Sequence, residues 1–222
     1  MAHRRIHKLT FVSKNSRLGK SVSIGPFSVV GLPTRSSILK ANGGKKDTCI
    51  LPTLIGDRTI ISSNVTIEEG VKIGKDVVIE SGAVIEKGSI IGAGSFVVHG
   101  ARILANVHIG KKCVIGGLVA DRTIIGDHSR VFGNLIHRQD NPTSSWDGTT
   151  EESPTIDEHV FISFGAQVIG NVRIGHHTYV CANAVVTMDV QPYQIVVGIN
   201  RFIQHSKWKG RLRHSKFWKE QI

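Results

Sequence analysis

The feature that most constrains this sequence is a six-residue repeat. From Ile55 the chain divides into blocks that begin with Ile or Val and carry a small or β-branched fifth residue: IGDRTI, ISSNVT, IEEGVK, IGKDVV, IESGAV, IEKGSI, IGAGSF, VVHGAR, ILANVH, IGKKCV and IGGLVA. After a slip at Asp121–Thr123, the blocks IGDHSR and VFGNLI follow. The series resumes from Ile156 as IDEHVF, ISFGAQ, VIGNVR, IGHHTY, VCANAV and VTMDVQ, and an isolated pair, IGPFSV and VGLPTR, lies near the N-terminus.

A period of six fits neither an α-helix nor a simple strand alternation, and it is typical of parallel β-helices. Each block predicts a short strand and a turn, three blocks close one coil, and successive coils stack about 4.8 Å apart. The Ile or Val of each block then points inward and forms an aliphatic ladder. The 24 glycines and the low aromatic content, 6%, agree with a core of small side chains and frequent turns.

We therefore predict an all-β protein with one β-helical domain over residues 1–203 and a short, basic, helical C-terminal tail over residues 204–222. Two segments, 34–53 and 137–154, cannot continue the ladder and are predicted to leave it as loops. Segment 137–154 is hydrophilic, contains two prolines and lacks Ile and Val. Loops of this kind commonly carry function.

The net charge of +11 is concentrated at the two ends of the chain. Residues 1–20 and 201–222 each carry +6, which leaves −1 for the 180 residues between them. Solvated tails explain this pattern, and anionic lipid or polyphosphate binding by the C-terminal end, where Trp208 and Trp218 interleave with cations, is the alternative. The nearly neutral body and the lack of a nucleic-acid motif argue against nucleic-acid binding.

The N-terminus has no apolar stretch of the kind found in signal peptides, and the three cysteines Cys49, Cys113 and Cys181 give no disulfide framework or metal spacing. We expect a cytoplasmic protein whose basic tail can contact the inner face of the membrane.

The block form [LIV]-G-x-x-[STAV]-x resembles that of the hexapeptide-repeat acyltransferases, over most of residues 20–203. The resemblance implies a left-handed β-helix, a homotrimer with the acyl-donor channel between neighbouring prisms, and acetyl-CoA as co-substrate without a metal. It also implies a sugar or nucleotide-sugar acceptor.

Two subfamily patterns overlap around the break in the repeat. The stretch from His137 through Asp140 to Pro142 is similar to the H-P-x-D-P pattern of sugar and xenobiotic O-acetyltransferases, as are "VFIS" from Val160 and "VVTMDVQPY" from Val185. This match implies that His137 is the catalytic histidine. The stretch "VFGN", ending at Asn134, resembles instead the V-F-x-N pattern of N-acetyltransferases that act on nucleotide-linked amino sugars.

Acyl transfer to a hydroxyl needs a base and a donor for the developing oxyanion. His137 meets the first need, with Asp140 either orienting its ring or capping a turn. Asn134 either positions substrate or belongs to an asparagine ladder. Backbone N–H groups around Ser163 to Gly165, where the coils restart, are candidates for the oxyanion donor. The predicted acyl-donor contacts are Ser163, Phe164, Gly165, Ala182, Thr187 and Arg201. Arg201 compensates for Met188, which replaces the lysine usual in the family.

Two other functions are compatible with a hexapeptide solenoid. Carbonic-anhydrase-like proteins share the fold and bind zinc through three histidines from neighbouring subunits. One pair of those histidines is separated by four residues, a spacing that is absent here. The adjacent pair His176 and His177 falls at a block corner and is expected to face solvent. A non-catalytic trimeric scaffold is the second alternative, and acyl-CoA turnover would distinguish it from an enzyme.

Overall fold

The computed structural model describes residues 5–42, 51–138, 152–209 and Trp218. Over these residues the chain winds into a prism with three sheets, and up to residue 186 the paired strands are parallel and three apart in chain order. One turn of the prism therefore contributes one strand to each of three faces, which we call A, B and C. The corners between them are the AB, BC and CA corners, in the order in which the chain passes them.

The bounds of the strands follow the repeat. Face A comprises β1 Arg5–Ile6, β4 Ser23–Ile24, β7 Ile60–Ile61, β10 Val78–Ile79, β13 Phe96–Val97, β16 Val114–Ile115, β19 Arg130–Val131, β22 Phe161–Ile162, β25 Tyr179–Val180, β27 Gln194–Val197 and β28 Arg201–Gln204. Face B comprises β2 Phe11–Val12, β5 Val29–Leu32, β8 Thr66–Glu68, β11 Val84–Ile85, β14 Arg102–Ile103, β17 Leu118–Val119, β20 Asn134–Ile136, β23 Gln167–Ile169 and β26 Val185–Val186. Face C comprises β3 Arg17–Leu18, β6 Leu54–Ile55, β9 Lys72–Ile73, β12 Ile90–Ile91, β15 His108–Ile109, β18 Ile124–Ile125, β21 Thr155–Ile156 and β24 Arg173–Ile174.

The core is the predicted aliphatic ladder. In each two-residue strand the second residue points inward, as in the register Ile61, Ile79 and Val97 along face A. From β4 to β26 these inward residues are buried on all three faces, whereas Ile6 of β1 is 40% exposed. The all-β solenoid predicted from the hexads is confirmed, and its stacked coils are consistent with a left-handed β-helix.

The ladder begins earlier than the sequence indicated. The blocks around Ile24 are not isolated, because β1, β2 and β3 already form one coil beneath them. Arg5 pairs with Ser23 and Arg17 pairs with Leu54. The described part of the basic N-terminal segment therefore belongs to the prism and is not a tail.

The slip in the repeat was also misplaced. It lies at Gly116–Gly117, where two residues rather than four join face A to face B, and a second short AB corner follows at Phe132–Gly133. A Cβ atom at Gly117, whose φ is +67°, would clash with the carbonyl oxygen of Gly133. Glycine is therefore required where two shortened corners stack on each other.

Both long excursions leave the prism from the BC corner. The first contains α1, Arg35–Asn42, and is anchored by the fully buried carboxylate of Glu69. Glu69 Oε1 accepts hydrogen bonds from the Thr34 N–H (3.1 Å) and hydroxyl (2.7 Å), and Oε2 accepts one from the Leu51 N–H (3.0 Å). The second excursion begins after Ile136 and returns at Thr155.

The C-terminal end departs from the repeat. Strand β28 pairs antiparallel with β27, and a 3-10 turn, His205–Lys207, follows it. The strand thus crosses the boundary predicted at residue 203. No helix among the described residues has the length and apolarity that crossing a bilayer requires.

Candidate functional site

His137 stands at the BC corner, directly after β20, where the second excursion leaves the prism. Its side chain is half-buried and its Nδ1 atom is shielded from solvent. The Ile136 carbonyl before it still accepts the Gly170 N–H at 2.8 Å, so the backbone is held up to this residue. Asp140, the predicted orienting residue, lies outside the described residues.

A different carboxylate neighbours His137 in the stack. Val119 and Leu135 are register partners, and Asp121 and His137 each follow two residues later. The two residues therefore occupy equivalent positions on successive coils, which stack about 4.8 Å apart. One Asp121 oxygen, Oδ1, accepts the Ala105 N–H at 2.9 Å. Sequence reasoning missed Asp121, and the signal for it was the column position rather than any motif.

Asn134 is engaged in a side-chain ladder. Its Oδ1 accepts the Leu118 N–H at 3.0 Å, and its amide nitrogen donates to Gln167 Oε1 at 3.3 Å. Gln167 is its register partner on the next coil. These contacts favour the structural explanation of the asparagine over a substrate-positioning role.

Four predicted donor-binding residues, Ser163, Phe164, Gly165 and Ala182, lie along the AB corner. The Ser163 N–H donates to the Val180 carbonyl at 3.0 Å and continues the ladder, so it is not available to an oxyanion. That part of the prediction is wrong, because this residue is still within the hydrogen-bonded repeat. The amides of Phe164 and Gly165 remain as the candidates.

The AB corner also carries an aromatic cluster. Phe164, which is 65% exposed, stacks on Phe132 with ring centroids 4.6 Å apart. On the adjoining face A, Phe161 stacks on Tyr179 at 4.9 Å, and the Tyr179 side chain shares a hydrogen bond with that of Ser163 at the corner. Burial raises the pKa of the Tyr179 hydroxyl, so it stays protonated at neutral pH. The corner thus presents aromatic surface and a neutral hydroxyl.

The remaining two predicted residues lie near the C-terminal end. Thr187 at the BC corner is paired with Asn200, since its N–H donates to Oδ1 at 2.8 Å and its hydroxyl accepts from Nδ2 at 2.7 Å. Arg201 lines an open groove whose other walls are Ile203, Lys207, Trp208 and Lys209. Three cations and an indole around one groove suit a phosphorylated aromatic ligand.

Within one chain these residues do not converge. His137 and the Ser163–Gly165 segment lie at opposite edges of face B, and a catalytic base must reach its substrate within hydrogen-bond distance. Among the described residues, no group of three His, Cys, Asp or Glu side chains is arranged to hold a metal ion.

The comparisons with known proteins agree with the repeat. The family described as bacterial transferase hexapeptide (six repeats) matches residues 52–87. A serine acetyltransferase of Mycobacterium tuberculosis is 35% identical over 104 residues, which are 44% of this chain and 45% of that protein. A serine acetyltransferase of Staphylococcus aureus is 31% identical over 99 residues, 41% of this chain and 42% of that protein.

Among solved structures, the UDP-N-acetylglucosamine acyltransferase from Campylobacter jejuni has a TM-score of 0.57 at 15% identity, covering 90% of this chain and 74% of that one. At this identity the likeness shows a shared fold. This chain spans less than half the length of the two curated relatives described above.

Proposed function

We propose that this chain, which belongs to the hexapeptide-repeat acyltransferase family, moves an acyl group from acyl-CoA to a hydroxyl of a small polar acceptor, with His137 as the general base. The observation that carries the proposal is the position of His137. It is the residue at which the ladder opens into a loop, at a corner of an otherwise smooth prism.

The chemistry requires one proton carrier. The neutral imidazole of His137 takes the proton of the acceptor hydroxyl while the oxygen attacks the thioester carbonyl. The carbon–sulfur bond then breaks, and the imidazolium returns the proton to the departing CoA thiolate. Asp121, one coil below, is our candidate for orienting the ring, and the amides of Phe164 and Gly165 are candidates for the oxyanion.

The site needs a second copy of the chain. Consider a threefold assembly in which face B of each prism is turned towards the axis. The AB corner of one prism then meets the BC corner of the next. That contact places His137 of one copy beside the Phe164 segment of its neighbour, which a single chain cannot do. The exposed Ile38 and Leu39 of α1 project from the same BC corner and would be covered there.

Two inactive variants test this two-chain site. His137→Ala removes the base, and Phe164→Asp places a charge in the aromatic surface of the AB corner. Neither homotrimer should therefore turn over acetyl-CoA efficiently. Co-expressed trimers should regain activity, because about a quarter of their interfaces join two intact halves. Mixed trimers that stay as inactive as the two parents would show that each site lies within one chain.

The groove around Arg201 is the proposed binding site for the CoA phosphates. Arg201→Gln and Lys207→Gln should each raise the KM for acetyl-CoA about tenfold, the value of one lost charge-assisted hydrogen bond, with little change in kcat. Lys111→Gln, at the CA corner far along the prism, is the matched control. An unchanged KM in both groove variants would place the phosphates elsewhere.

The acceptor is the open part of the proposal. The curated relatives are named serine acetyltransferases and the structural neighbour acts on UDP-N-acetylglucosamine, so we propose a sugar, nucleotide sugar or amino-acid hydroxyl. Release of free CoA thiol from acetyl-CoA, measured with serine, simple glycosides, amino sugars and nucleotide sugars, identifies it. No turnover with any of them, or with longer acyl-CoA donors, would favour the non-catalytic scaffold.

N-acylation of a nucleotide-linked amino sugar is the second candidate, in which Asn134 would position the substrate. The Asn134 ladder counts against it. Asn134→Ala should lower stability by about 1 kcal/mol, the usual value of a lost hydrogen bond, while leaving the KM for the acceptor unchanged. A large rise in that KM would revive the candidate.

A further inference from the structure

The N-terminal end of the prism leaves the aliphatic ladder open. Strands β1, β2 and β3 are the outer edges of their three sheets, and no strand among the described residues lies beyond them. Their inward residues, Ile6, Val12 and Leu18, form the last layer of the ladder. Ile6 is 40% exposed, and the other two are half-buried against the core. Solenoid ends are usually closed by a repeat with a polar outer face, so this apolar layer requires a cover.

Cations surround the open layer. The first coil, residues 5–20, contains five Lys/Arg and no Asp or Glu, and all five cationic residues are exposed. The five are Arg5 on face A, Arg17 on face C, and Lys8, Lys14 and Lys20 at the AB, BC and CA corners. Positive charge is therefore spread around the perimeter of the coil rather than gathered on one face.

The charge is different in the body of the prism. Residues 57–200 contain 15 Asp/Glu and 11 Lys/Arg, so this part of the chain is slightly acidic. At the boundary with the first coil, one oxygen of the Asp57 carboxylate already accepts the Lys20 N–H at 2.7 Å. The first coil is thus a basic surface at the end of a slightly acidic body.

Apolar side chains project beside these cations. Leu9 and Phe27 lie on successive coils at the AB corner, where the Phe27 N–H donates to the Leu9 carbonyl at 3.0 Å, and they are 51% and 61% exposed. Phe11, on face B, is also exposed and faces the axis of the proposed trimer. The open end around Ile6 points along that axis and stays accessible. Exposed apolar area within a rim of cations is typical of surfaces that lie on anionic membranes.

We propose that the N-terminal end of the prism docks on an anionic lipid bilayer. The cations of the first coil contact the lipid phosphates, and Ile6 and Leu9 enter the boundary between headgroups and acyl chains. The edge strands carry backbone polar groups that hydrocarbon cannot satisfy, so the coil stays at the level of the headgroups. This site lies at the opposite end of the prism from the basic C-terminal tail, to which the sequence analysis assigned membrane contact.

The chemistry of this end favours a bilayer over other partners. A second copy placed end to end would bring two sets of five cations together. A nucleic acid would contact the cations, but the aliphatic Ile6 and Leu9 offer no plane on which bases stack. Cyclic symmetry places the three N-terminal ends on the same side of the proposed trimer, where all three reach one bilayer. The docking does not rest on acyl transfer, since a single chain has the same end.

Flotation of the full-length chain with lipid vesicles tests the docking. The chain should bind vesicles of equimolar phosphatidylcholine and phosphatidylglycerol, and should bind pure phosphatidylcholine only weakly. The double variant Lys8→Gln/Lys14→Gln should lower the partition coefficient for the mixed vesicles about 25-fold, because each cation near an anionic surface contributes about fivefold. Leu9→Ser should lower it about tenfold, because an apolar side chain no longer leaves water. These residues are exposed, so the circular dichroism should match that of the parent.

Two further double variants locate the contact. Lys111→Gln/Lys112→Gln, at exposed positions of the CA corner in the middle of the prism, removes the same charge and should leave the partition coefficient unchanged. Lys207→Gln/Lys209→Gln tests the C-terminal end. Binding that is lost only in this last variant would assign the membrane contact to the tail and overturn the proposal.

Other outcomes would also overturn it. These are equal binding to neutral and mixed vesicles, parental binding by the Lys8→Gln/Lys14→Gln variant, and an equal loss in the mid-prism control. If the chain failed to bind the vesicles but bound a short DNA duplex through Lys8 and Lys14, the end would be assigned to nucleic acid. Acetyl-CoA turnover with a soluble acceptor should be unchanged in the Lys8→Gln/Lys14→Gln variant, so failure of the docking is distinguishable from failure of the proposed acyl transfer.

Discussion

His137 and His177 stand in two different environments. His137 is half-buried where the ladder opens, the position on which its proposed role as a base rests, and its Nδ1 is shielded by the protein. His177 is 5% exposed, contrary to the expectation that it faces solvent, because it lies in a column of stacked rings that also contains His128, His159 and Tyr193. Its ring is therefore available for packing rather than for catalysis. The number of histidines, 11, therefore says little, and the position in the coil decides the role.

Replacement of His137 should separate catalysis from folding. His137→Ala should lower kcat about 10²–10⁴-fold, the usual contribution of a general base, with little change in the KM for acetyl-CoA. His137→Asn should behave alike, and both should melt at the parental temperature because the residue is not part of the aliphatic ladder. His108→Ala is the control. Nearly full activity in either His137 variant would point to an acceptor that supplies its own base, as an amine does.

His177 should make stability depend on pH. Its pKa is lowered to about 4 in the folded protein by burial and by the imidazoles of His159 and His176, whereas the unfolded chain has the ordinary value. Below about pH 6.5 the unfolded state therefore binds more protons, so the free energy of unfolding should fall by on the order of 2 kcal/mol down to pH 4. Urea denaturation at several pH values measures it. His177→Phe should show a shallower slope, and an equal slope would mean that other groups cause the effect.

At the scale of elements, the AB corner is the part of the prism where the chain is shortened. Corners of four residues keep a regular surface, whereas the two-residue corners at Gly116–Gly117 and Phe132–Gly133 bring backbones into contact. Phe132 from the second short corner fills the space beside Gly116, and Phe164 from the next coil stacks on it. The aromatic cluster is thus a consequence of the shortened corners.

A glycine pair tests the close approach. Gly117 and Gly100 both have φ near +68°, but a Cβ at Gly100 would meet no heavy atom within 4 Å, while one at Gly117 would meet the Gly133 carbonyl. Gly100→Ala should cost about 1 kcal/mol, the backbone strain alone. Gly117→Ala should cost about 1–3 kcal/mol more, as overpacking does. Equal losses in thermal denaturation would mean that the stacked corners can move apart.

At the scale of the whole molecule, the orientation of the prisms decides whether the site exists. Face A has the longest run of outward apolar residues, among them Val78, Phe96 and Val114, and an assembly around it would leave His137 pointing away from the axis. The two-chain site requires face B at the axis instead. The three faces therefore compete as interfaces, and only one choice joins the AB and BC corners.

Three lysine substitutions on consecutive strands separate these arrangements. Val78 on face A, Val84 on face B and Ile90 on face C are each the half-buried outward residue of a two-residue strand. Val84→Lys should dissociate the trimer in light scattering and abolish turnover, because a buried unpaired charge is costly. Val78→Lys and Ile90→Lys should remain trimeric and active. Dissociation by Val78→Lys, or a monomeric parent protein, would remove the proposed site.

The sequence by itself determined the solenoid and the place where it opens. An Ile or Val at every sixth position is a local pattern, so it can be counted along the chain. A hydrophilic segment with two prolines cannot continue that pattern. The break before His137 was visible for this reason. The slip at Gly116–Gly117 was not, because both Leu118 and Val119 are apolar and the period alone cannot say which of them turns inward.

Only the tertiary structure decided which side chains meet around the prism. His128, His159 and His177 are 31 and 18 residues apart, and Asp121 and His137 are 16 apart, so no single spacing identifies them as neighbours. Their columns depend on how many residues each coil contains, and coils here lose residues at short corners and gain them at excursions. Stacking at the strand spacing then brings them together, because the backbone hydrogen bonds between coils fix the register regardless of the length of chain between them.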